Sequence, residues 1–402
     1  MSEKCLAAVK INQDLCSRCS VCYSVCPFEA IKRDVETGKV EIDDQKCQVC
    51  GICYSACPVS AIEMAYYDYD NLLEHVDEVK QKTNGETLVM MCRGNSPSDC
   101  EIKDILSEQG LIINNYIPLR LPCAGRVPTD FVFKVLSSGI KNILSIQCED
   151  KFCRMKDGTQ INTKRFILGK NVLTQLGYDD NALKVVKFSR KAVWDSEECV
   201  GCDKCVFVCP YDAIKVDSFS SPRIILDDCV GCGACQLVCP HHAIQVKGYE
   251  FENVLYRYAE SAKKLKAQNN TPAVLVFACQ WSEYPGLDHP DCVIKGKNAV
   301  ILEVPCFKGL DPVHIVNALS CGFDGVLGVV CSPDDCKMQQ GRDTAERNMD
   351  VTTNMLKKLN LLDRFEMVEL SPRCEGKFEE TFTKFYNKIA TMPQCALKKE
   401  AN

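Results

Sequence analysis

Residues 16–27 read CSRCSVCYSVCP, four cysteines in tight succession closed by a proline. CQVCGICYSACP follows at 47–58, CVGCDKCVFVCP at 199–210 and CVGCGACQLVCP at 229–240. The first and third strings lie 183 positions apart, the second and fourth 182. The correspondence continues beyond them. Pro122-Cys123 matches Pro305-Cys306, and Cys148 and Cys153 match Cys331 and Cys336, all at 183. Cys92 matches Cys279 at 187, so intervening loops have changed length. This period is far longer than the roughly 20–50 residues of a solenoid repeat. It reads as an internal duplication of a two-domain unit, with a boundary near Ala192 to Ser196.

The chain has 402 residues, 30 of them cysteine. At roughly 100–200 residues per domain, two to four domains fit. Such cysteine density suits small secreted disulfide scaffolds, but a chain with room for conventional cores needs no such staples. Met1 to Lys10 lacks the apolar run of a signal peptide. Ala273 to Cys279 is far short of a membrane span. A net charge of −6 argues against nucleic-acid binding, which favours a basic face. These features predict a cytoplasmic protein whose cysteines bind metal.

The run C-x-x-C-x-x-C-x-x-x-C-P is that of bacterial ferredoxins. Three cysteines two residues apart wrap one corner of an iron–sulfur cube; the proline then turns the fourth towards the neighbouring cube. On this rule Cys16, Cys19, Cys22 and Cys57 hold one [4Fe–4S] cluster, and Cys47, Cys50, Cys53 and Cys26 the next. Cys199, Cys202, Cys205 and Cys239 hold a third, and Cys229, Cys232, Cys235 and Cys209 a fourth. Zinc ribbons, with two knuckles separated by a longer spacer, fit these runs poorly. The chain resembles two-cluster ferredoxins over residues 9–65 and 191–247. The resemblance includes a short helix after each Cys-Pro (Phe28 to Ile31, Tyr211 to Ile214) and a hairpin from Ile31 to Ile42 turning at Thr37-Gly38. Four such clusters would bring the oxidised holoprotein to roughly −14, which would attract basic docking patches.

The cysteine-dense stretches alternate with segments of α/β texture. Leu72, Leu73, Val76 and Val79 have helical spacing, as do Val254, Leu255, Tyr258 and Ala262. Apolar runs at Leu88 to Cys92, Tyr116 to Cys123 and Asn142 to Cys148 read as strands ending in cysteine. Ala273 to Cys279, Ala299 to Cys306 and Gly325 to Cys331 repeat them, with helices expected at Pro312 to Ser320 and Gly341 to Leu359. A mostly parallel sheet follows, and ligands of such sheets sit beyond the carboxyl ends of the strands. Cys92, Cys123, Cys148 and Cys153 would then converge in one crevice, and Cys279, Cys306, Cys331 and Cys336 in another. Four thiolates there could hold zinc, a [2Fe–2S] cluster or nothing.

The stretches 122–153 and 305–336 resemble the delta (iron–sulfur) subunit of methyl-viologen-reducing hydrogenase, with similarity over about 86–190 and 271–391. That family implies a [2Fe–2S] cluster in each copy. It also implies electron passage from a hydrogenase or formate dehydrogenase to the flavin subunit of heterodisulfide reductase. Gly158 and Gly341 match the family's late glycine. The second cysteine of its first pair is missing: Cys92 is followed by Arg93-Gly94-Asn95, and Cys279 by Gln280-Trp281-Ser282.

Cys5, Cys100, Cys292, Cys321, Cys374 and Cys395 stand outside these sets and read as small buried hydrophobes. His241 and His242 read as solvent-facing, Trp281 as packing, Lys263, Lys264 and Lys266 as a solvated helix face, and Asp334-Asp335 as loop. No flavin fingerprint, phosphate-cradling loop, HExxH or adjacent cysteine pair occurs, so no catalytic residue is assigned. The expected architecture is multidomain α+β and α/β. Two-cluster ferredoxin domains at 1–66 and 192–248 are each followed by a delta-like α/β domain, at 67–191 and 249–402. The expected function is single-electron relay through iron held by these cysteines: four [4Fe–4S] and two [2Fe–2S] clusters in a cytoplasmic, anaerobic oxidoreductase complex. The family link implies a setting in methanogenesis. It also implies partners: a flavin-containing heterodisulfide-reductase-type subunit and a hydrogenase, formate dehydrogenase or similar module. Direct reduction of a disulfide or small substrate at a strand-end cluster, and a structural scaffold with empty delta-like domains, are the alternatives.

Overall fold

The computed structural model describes residues 7–216, 222–225, 227–267, 272–283, 294, 297–395 and 397. The chain divides into two compact units after Ser189, with Pro372–Glu375 counted in the first.

The first unit opens with β1 (Val9–Ile11), α1 (Val21–Val25), β2 (Ile31–Arg33), β3 (Val40–Ile42), α2 (Ile52–Ala56) and β4 (Ile62–Met64). β1 pairs antiparallel with β4, and β2 with β3, placing Ile31 opposite Ile42. Asp34 shapes the hairpin turn by accepting the Thr37 N–H at 2.6 Å, and Gly38 takes φ 66°. The helix expected after the first Cys-Pro is absent. Glu29 takes φ 52°, its N–H donates to the Cys26 carbonyl at 3.3 Å, and Ile31 already starts β2. A left-handed residue cannot continue a right-handed helix. The helices lie within the cysteine runs instead.

α3 (Tyr69–Thr83) leads into β5 (Thr87–Cys92), α4 (Asp99–Glu108), β6 (Tyr116–Leu121), α5 (Thr129–Ser137), β7 (Asn142–Cys148), α6 (Gly158–Gln175) and β8 (Leu183–Phe188). The sheet runs β6-β5-β7-β8, with every pairing parallel. β5 is buried along its whole length. Leu88 and Met90 face α3 and α5 through Leu72, Val76 and Phe131, while Val89 and Met91 face Ile102, Ile105 and Leu106 of α4. Burial on both faces explains an unbroken apolar run without alternation. Strand order reverses at β5, so a crevice opens at the carboxyl ends of β5, β6 and β7.

The second unit contains β9 (Ala192–Trp194), α7 (Lys204–Val208), β10 (Ile214–Val216), β11 (Pro222–Ile224), α8 (Ala234–Val238) and β12 (Ile244–Val246). β9 pairs antiparallel with β12, and β10 with β11. Again no helix follows the Cys-Pro: Asp212 takes φ 48° and Ile214 begins β10. α9 (Phe251–Ala267), β13 (Val274–Cys279), β14 (Ala299–Val304), α10 (Pro312–Cys321), β15 (Gly325–Val330), α11 (Gly341–Lys358), β16 (Phe365–Glu369) and α12 (Lys377–Ala390) follow. The parallel sheet has the order β14-β13-β15-β16. Here α12 covers the face that α4 covers in the first unit: Phe378, Phe382, Phe385 and Ile389 pack on Val274, Val276 and Ala278. Their spacing is that of one helix face.

Two refinements concern the strands. β6 and β14 stop two residues short of Cys123 and Cys306, which remain extended and open a short 3₁₀ turn. The fourth strands, β8 and β16, carry no continuous apolar signal in the sequence. Among the described residues no helix is long and apolar enough to cross a membrane.

Candidate metal centres

All four cysteine runs share one backbone device. The residues flanking the second cysteine, one on each side, have positive φ. They are Arg18 (57°) and Ser20 (64°), Val49 (51°) and Gly51 (80°), Gly201 (69°) and Asp203 (57°), and Gly231 (60°) and Gly233 (84°). Left-handed residues interleaved with right-handed ones turn successive N–H groups inward, forming a concavity for an anion such as an iron–sulfur cluster. Such φ values cost about 1–3 kcal/mol at non-glycine positions and persist only where the surroundings require them. For the β-branched Val49 this is a marked departure from ordinary geometry. Cys22, Cys53, Cys205 and Cys235 then sit in the short helices α1, α2, α7 and α8.

The thiols gather in the crossed pattern. Burial raises Cys22, with like-charge contributions from Cys16, Cys57 and Cys19. It raises Cys53 well above the ordinary thiol value, with Cys50, Cys47 and Cys26 adding to it. In the second unit Cys205 is raised by burial and by Cys199 and Cys239, and Cys235 by burial and by Cys232, Cys229 and Cys209. Each fourth cysteine thus faces the other run of its module. Backbone N–H groups donate to these sulfurs, among them Ala61 to Cys57 at 3.2 Å and Ala192 to Cys229 at 3.3 Å. The sets also differ in depth: Cys19 and Cys202 are exposed, whereas Cys50, Cys229, Cys232 and Cys235 are buried.

At the carboxyl end of the first sheet, Cys92, Cys123 and Cys148 are buried and Cys153 is half-buried. Cys92 is lowered chiefly by a hydrogen bond from Cys148, and Cys148 is raised by the same bond. The Ala124 N–H donates to the Cys92 Sγ at 3.3 Å. Asn95, which stands where the delta-subunit pattern has its second cysteine, hydrogen-bonds Cys148. Cys123 is raised by burial, then by Cys92, Cys50 and Cys153. In the second unit the Cys279 and Cys331 sulfurs are 3.9 Å apart. Hydrogen bonding from Cys331 helps pull Cys336 down to about 6, and Cys331 is raised by its hydrogen bonds to Cys279 and then Cys336. Buried Cys306 is raised by desolvation and by Cys279.

Four thiols packed this way cannot all ionise unless a cationic core neutralises them. Their crowding, the left-handed cradles and the all-sulfur donor sets fit iron–sulfur clusters. Among the described residues, no group of three or more His, Cys, Asp or Glu side chains forms a ready single-ion site.

Several contributors were not legible in the sequence. Buried Asp335 accepts from the Ser332 and Ser371 hydroxyls at 2.5 Å each, bracketing the loop between Cys331 and Cys336. Lys308, buried to 1%, donates to the Gln339 carbonyl and lowers both Cys306 and Cys336. Arg126 is equally buried. Nothing in the local pattern flags a cation with no paired acid. Gly158 and Gly341 were legible as motif glycines, but their steric reason was not. Of the remaining cysteines, Cys100 is exposed and Cys321 and Cys395 are half-buried, while Cys374 is disulfide-bonded rather than a free thiol. Cys5 and Cys292, and the Lys266 side chain, lie outside the described residues. His241 and His242 are exposed, with the His242 ring stacked on Phe251 at 4.7 Å, and Trp281 is buried.

Cysteine loops cradling anion sites, together with thiols at strand ends, define an iron–sulfur protein. The chain belongs to the family described as methyl-viologen-reducing hydrogenase, delta subunit. That family matches residues 75–200 and again 274–393, together more than half the chain. A 4Fe–4S dicluster domain matches 8–58 and another 181–246. Among curated proteins, the iron–sulfur subunit of the vhc F420-non-reducing hydrogenase of Methanococcus voltae is 30% identical over 135 residues, 33% of this chain and 94% of that protein. One subunit of the ferredoxin:CoB-CoM heterodisulfide reductase of Methanosarcina mazei is 33% identical over 199 residues. Its counterpart in the ferredoxin/F420H2-dependent enzyme of Methanosarcina acetivorans is 30% identical over 198. In both cases the match covers 48% of this chain but only 24% of the heterodisulfide reductase polypeptide.

Proposed function

We propose that this chain is an electron-conducting subunit whose cysteines hold four [4Fe–4S] and two [2Fe–2S] clusters, in two duplicated ferredoxin-plus-delta halves with the four-domain division given above. The cubane ligands are the four crossed sets, and the strand-end sets hold the smaller clusters. One observation carries this reading: thiol depth is graded within each unit. In each unit the second cysteine of the first run is exposed (Cys19, Cys202) and that of the second run is buried (Cys50, Cys232), and the second run adjoins the strand-end thiols. In the first unit Cys50 and Cys123 feel one another's charge. In the second, a Cβ on Gly309, three residues after Cys306, would lie 3.2 Å from the Cys232 carbonyl oxygen. Electrons would enter at the exposed cubane, pass the buried one and reach the strand-end centre. Caged iron with little rearrangement suits such transfer, and burial and hydrogen bonds to sulfur set the potentials.

The partners proposed are a flavin-containing heterodisulfide-reductase-type subunit and a hydrogenase or formate dehydrogenase module, in the cytoplasm of an anaerobe; similarity to subunits of heterodisulfide reductase and hydrogenase supports this choice. Iron and acid-labile sulfide in anaerobically purified protein test the reading. About 20 iron atoms per chain support it, whereas about 16 with zinc present removes the [2Fe–2S] centres. A colourless, iron-free protein rejects the function.

A further inference from the structure

The Arg126 side chain is 1% exposed and lies against the second cysteine run. Its Nη2 is 3.2 Å from the Met64 sulfur and 3.4 Å from the Val49 carbonyl oxygen, and its Cζ stands 5.1 Å from the centre of the Tyr67 ring. Gly51 permits this approach, because a Cβ there would meet the Arg126 Nε at 2.6 Å. Nε and Nη1 are fully buried without a hydrogen-bond partner. The ionisable groups acting on the guanidinium are Tyr67, Cys50, Cys123 and Tyr54. A buried cation with unsatisfied N–H groups is costly unless an anion completes it.

We propose that Arg126 is a redox-positioning residue: its guanidinium is the fixed counter-charge of the centre on Cys47, Cys50, Cys53 and Cys26, on the side facing Cys123, and makes that centre easier to reduce than the one on Cys16, Cys19, Cys22 and Cys57. The inference rests on the reading that these cysteines hold a cubane. In the step concerned, the centre on Cys16, Cys19, Cys22 and Cys57 loses one electron and the Arg126 centre gains it. No proton moves and no bond forms or breaks. The acceptor's charge goes from about −2 to about −3, so a nearby cation favours the reduced form. In the second unit a buried arginine also meets the equivalent cysteine run, from another position: Arg190 is 2% exposed, its Cζ stands 4.5 Å from the centre of the Tyr249 ring, and a Cβ on Gly231 would meet its Cγ at 2.8 Å. Gly309 stands three residues after its Pro-Cys, as Arg126 does in the first unit, and a Cβ on it would lie 3.0 Å from the Gly233 Cα. Backbone meets backbone there, with no room for a side chain. The position equivalent to Arg126 is thereby closed to a side chain, and Arg190 brings the buried cation instead.

The test is an anaerobic, EPR-monitored redox titration of the full chain with dithionite, comparing native protein with Arg126→Met and Arg126→Lys. Methionine keeps the apolar stem but removes the charge, whereas lysine keeps the charge, so the lysine variant remains informative should loss of the buried partner destabilise the methionine one. The expected result is native iron content in both variants. In Arg126→Met one cubane signal alone becomes harder to reduce, by at least tenfold in its one-electron equilibrium, which is 59 mV. Lysine restores most of that shift, as a role in charge requires and a role in packing does not. An unshifted titration at full iron content overturns the proposal, as does a shift of all signals together or one that lysine does not restore. Native protein without cubane iron overturns the reading beneath it and the proposal with it.

Discussion

A Cβ on Gly158 would stand 2.3 Å from the Cys123 sulfur and 3.7 Å from that of Cys153. Its counterpart on Gly341 would lie 2.9 Å from the Cys336 sulfur and 3.2 Å from that of Cys306. Each glycine begins a helix, α6 or α11, so backbone rigidity prevents easy relief. Gly158→Ala is expected to expel the strand-end centre of the first unit and leave every cubane in place. Iron should fall from about 20 to about 18 per chain with cubane EPR intensity unchanged. Full iron retention in the variant would count against a centre at Cys123.

Graded exposure predicts the order of demetallation. Cys19 and Cys202 are exposed, whereas Cys50, Cys229, Cys232 and Cys235 are buried. An iron chelator under anaerobic conditions should remove cubane iron in two phases, the faster being about half of it. A single phase for all the cubane iron would contradict the depth argument.

Phe385 is 1% exposed in the cluster that joins α12 to β13 and β15. Phe385→Ala should destabilise the second unit by about 3–5 kcal/mol, the usual cost of emptying a buried phenylalanine site. Leu106→Ala, on the corresponding face of the first unit, should cost about 2–5 kcal/mol. Denaturant unfolding followed by circular dichroism measures both.

Burial, opposed by Asp311 and reinforced by His242, pushes His314 from 6.5 down to about 4. Its folded value lies below its unfolded one, so between these limits the unfolded chain binds a proton that the folded chain does not. Stability is therefore full above pH 6.5 and is lost as pH falls through that window towards 4, by up to ~3 kcal/mol. His314→Phe should flatten this part of the pH dependence, read as urea midpoints at pH 7 and pH 5 against native protein.

The hairpin at Thr37-Gly38 and the strand starts at Tyr116, Asn142, Ala299 and Gly325 were legible because glycine placement and apolar runs are local signals. The helix after Cys-Pro was misplaced, since a left-handed Glu29 or Asp212 leaves no mark on composition. β8 and β16 escaped notice: their residues are mostly half-buried, so the sequence there lacks the continuous apolar run of β5. Asn95 replaces a cysteine in the motif, yet only the fold shows it bonded to Cys148.

Spacing alone determined the four cysteine runs and the repetition of their pattern, and it predicts the crossed grouping, because a thiolate loop around a cube is a short-range construction. Tertiary structure alone decided that α4 covers one sheet where α12 covers the other, and that Arg126 is buried beside Cys50 while Gly309 packs on Gly233. Burial and charge environment depend on residues distant in the chain, and no local pattern records which of them meet.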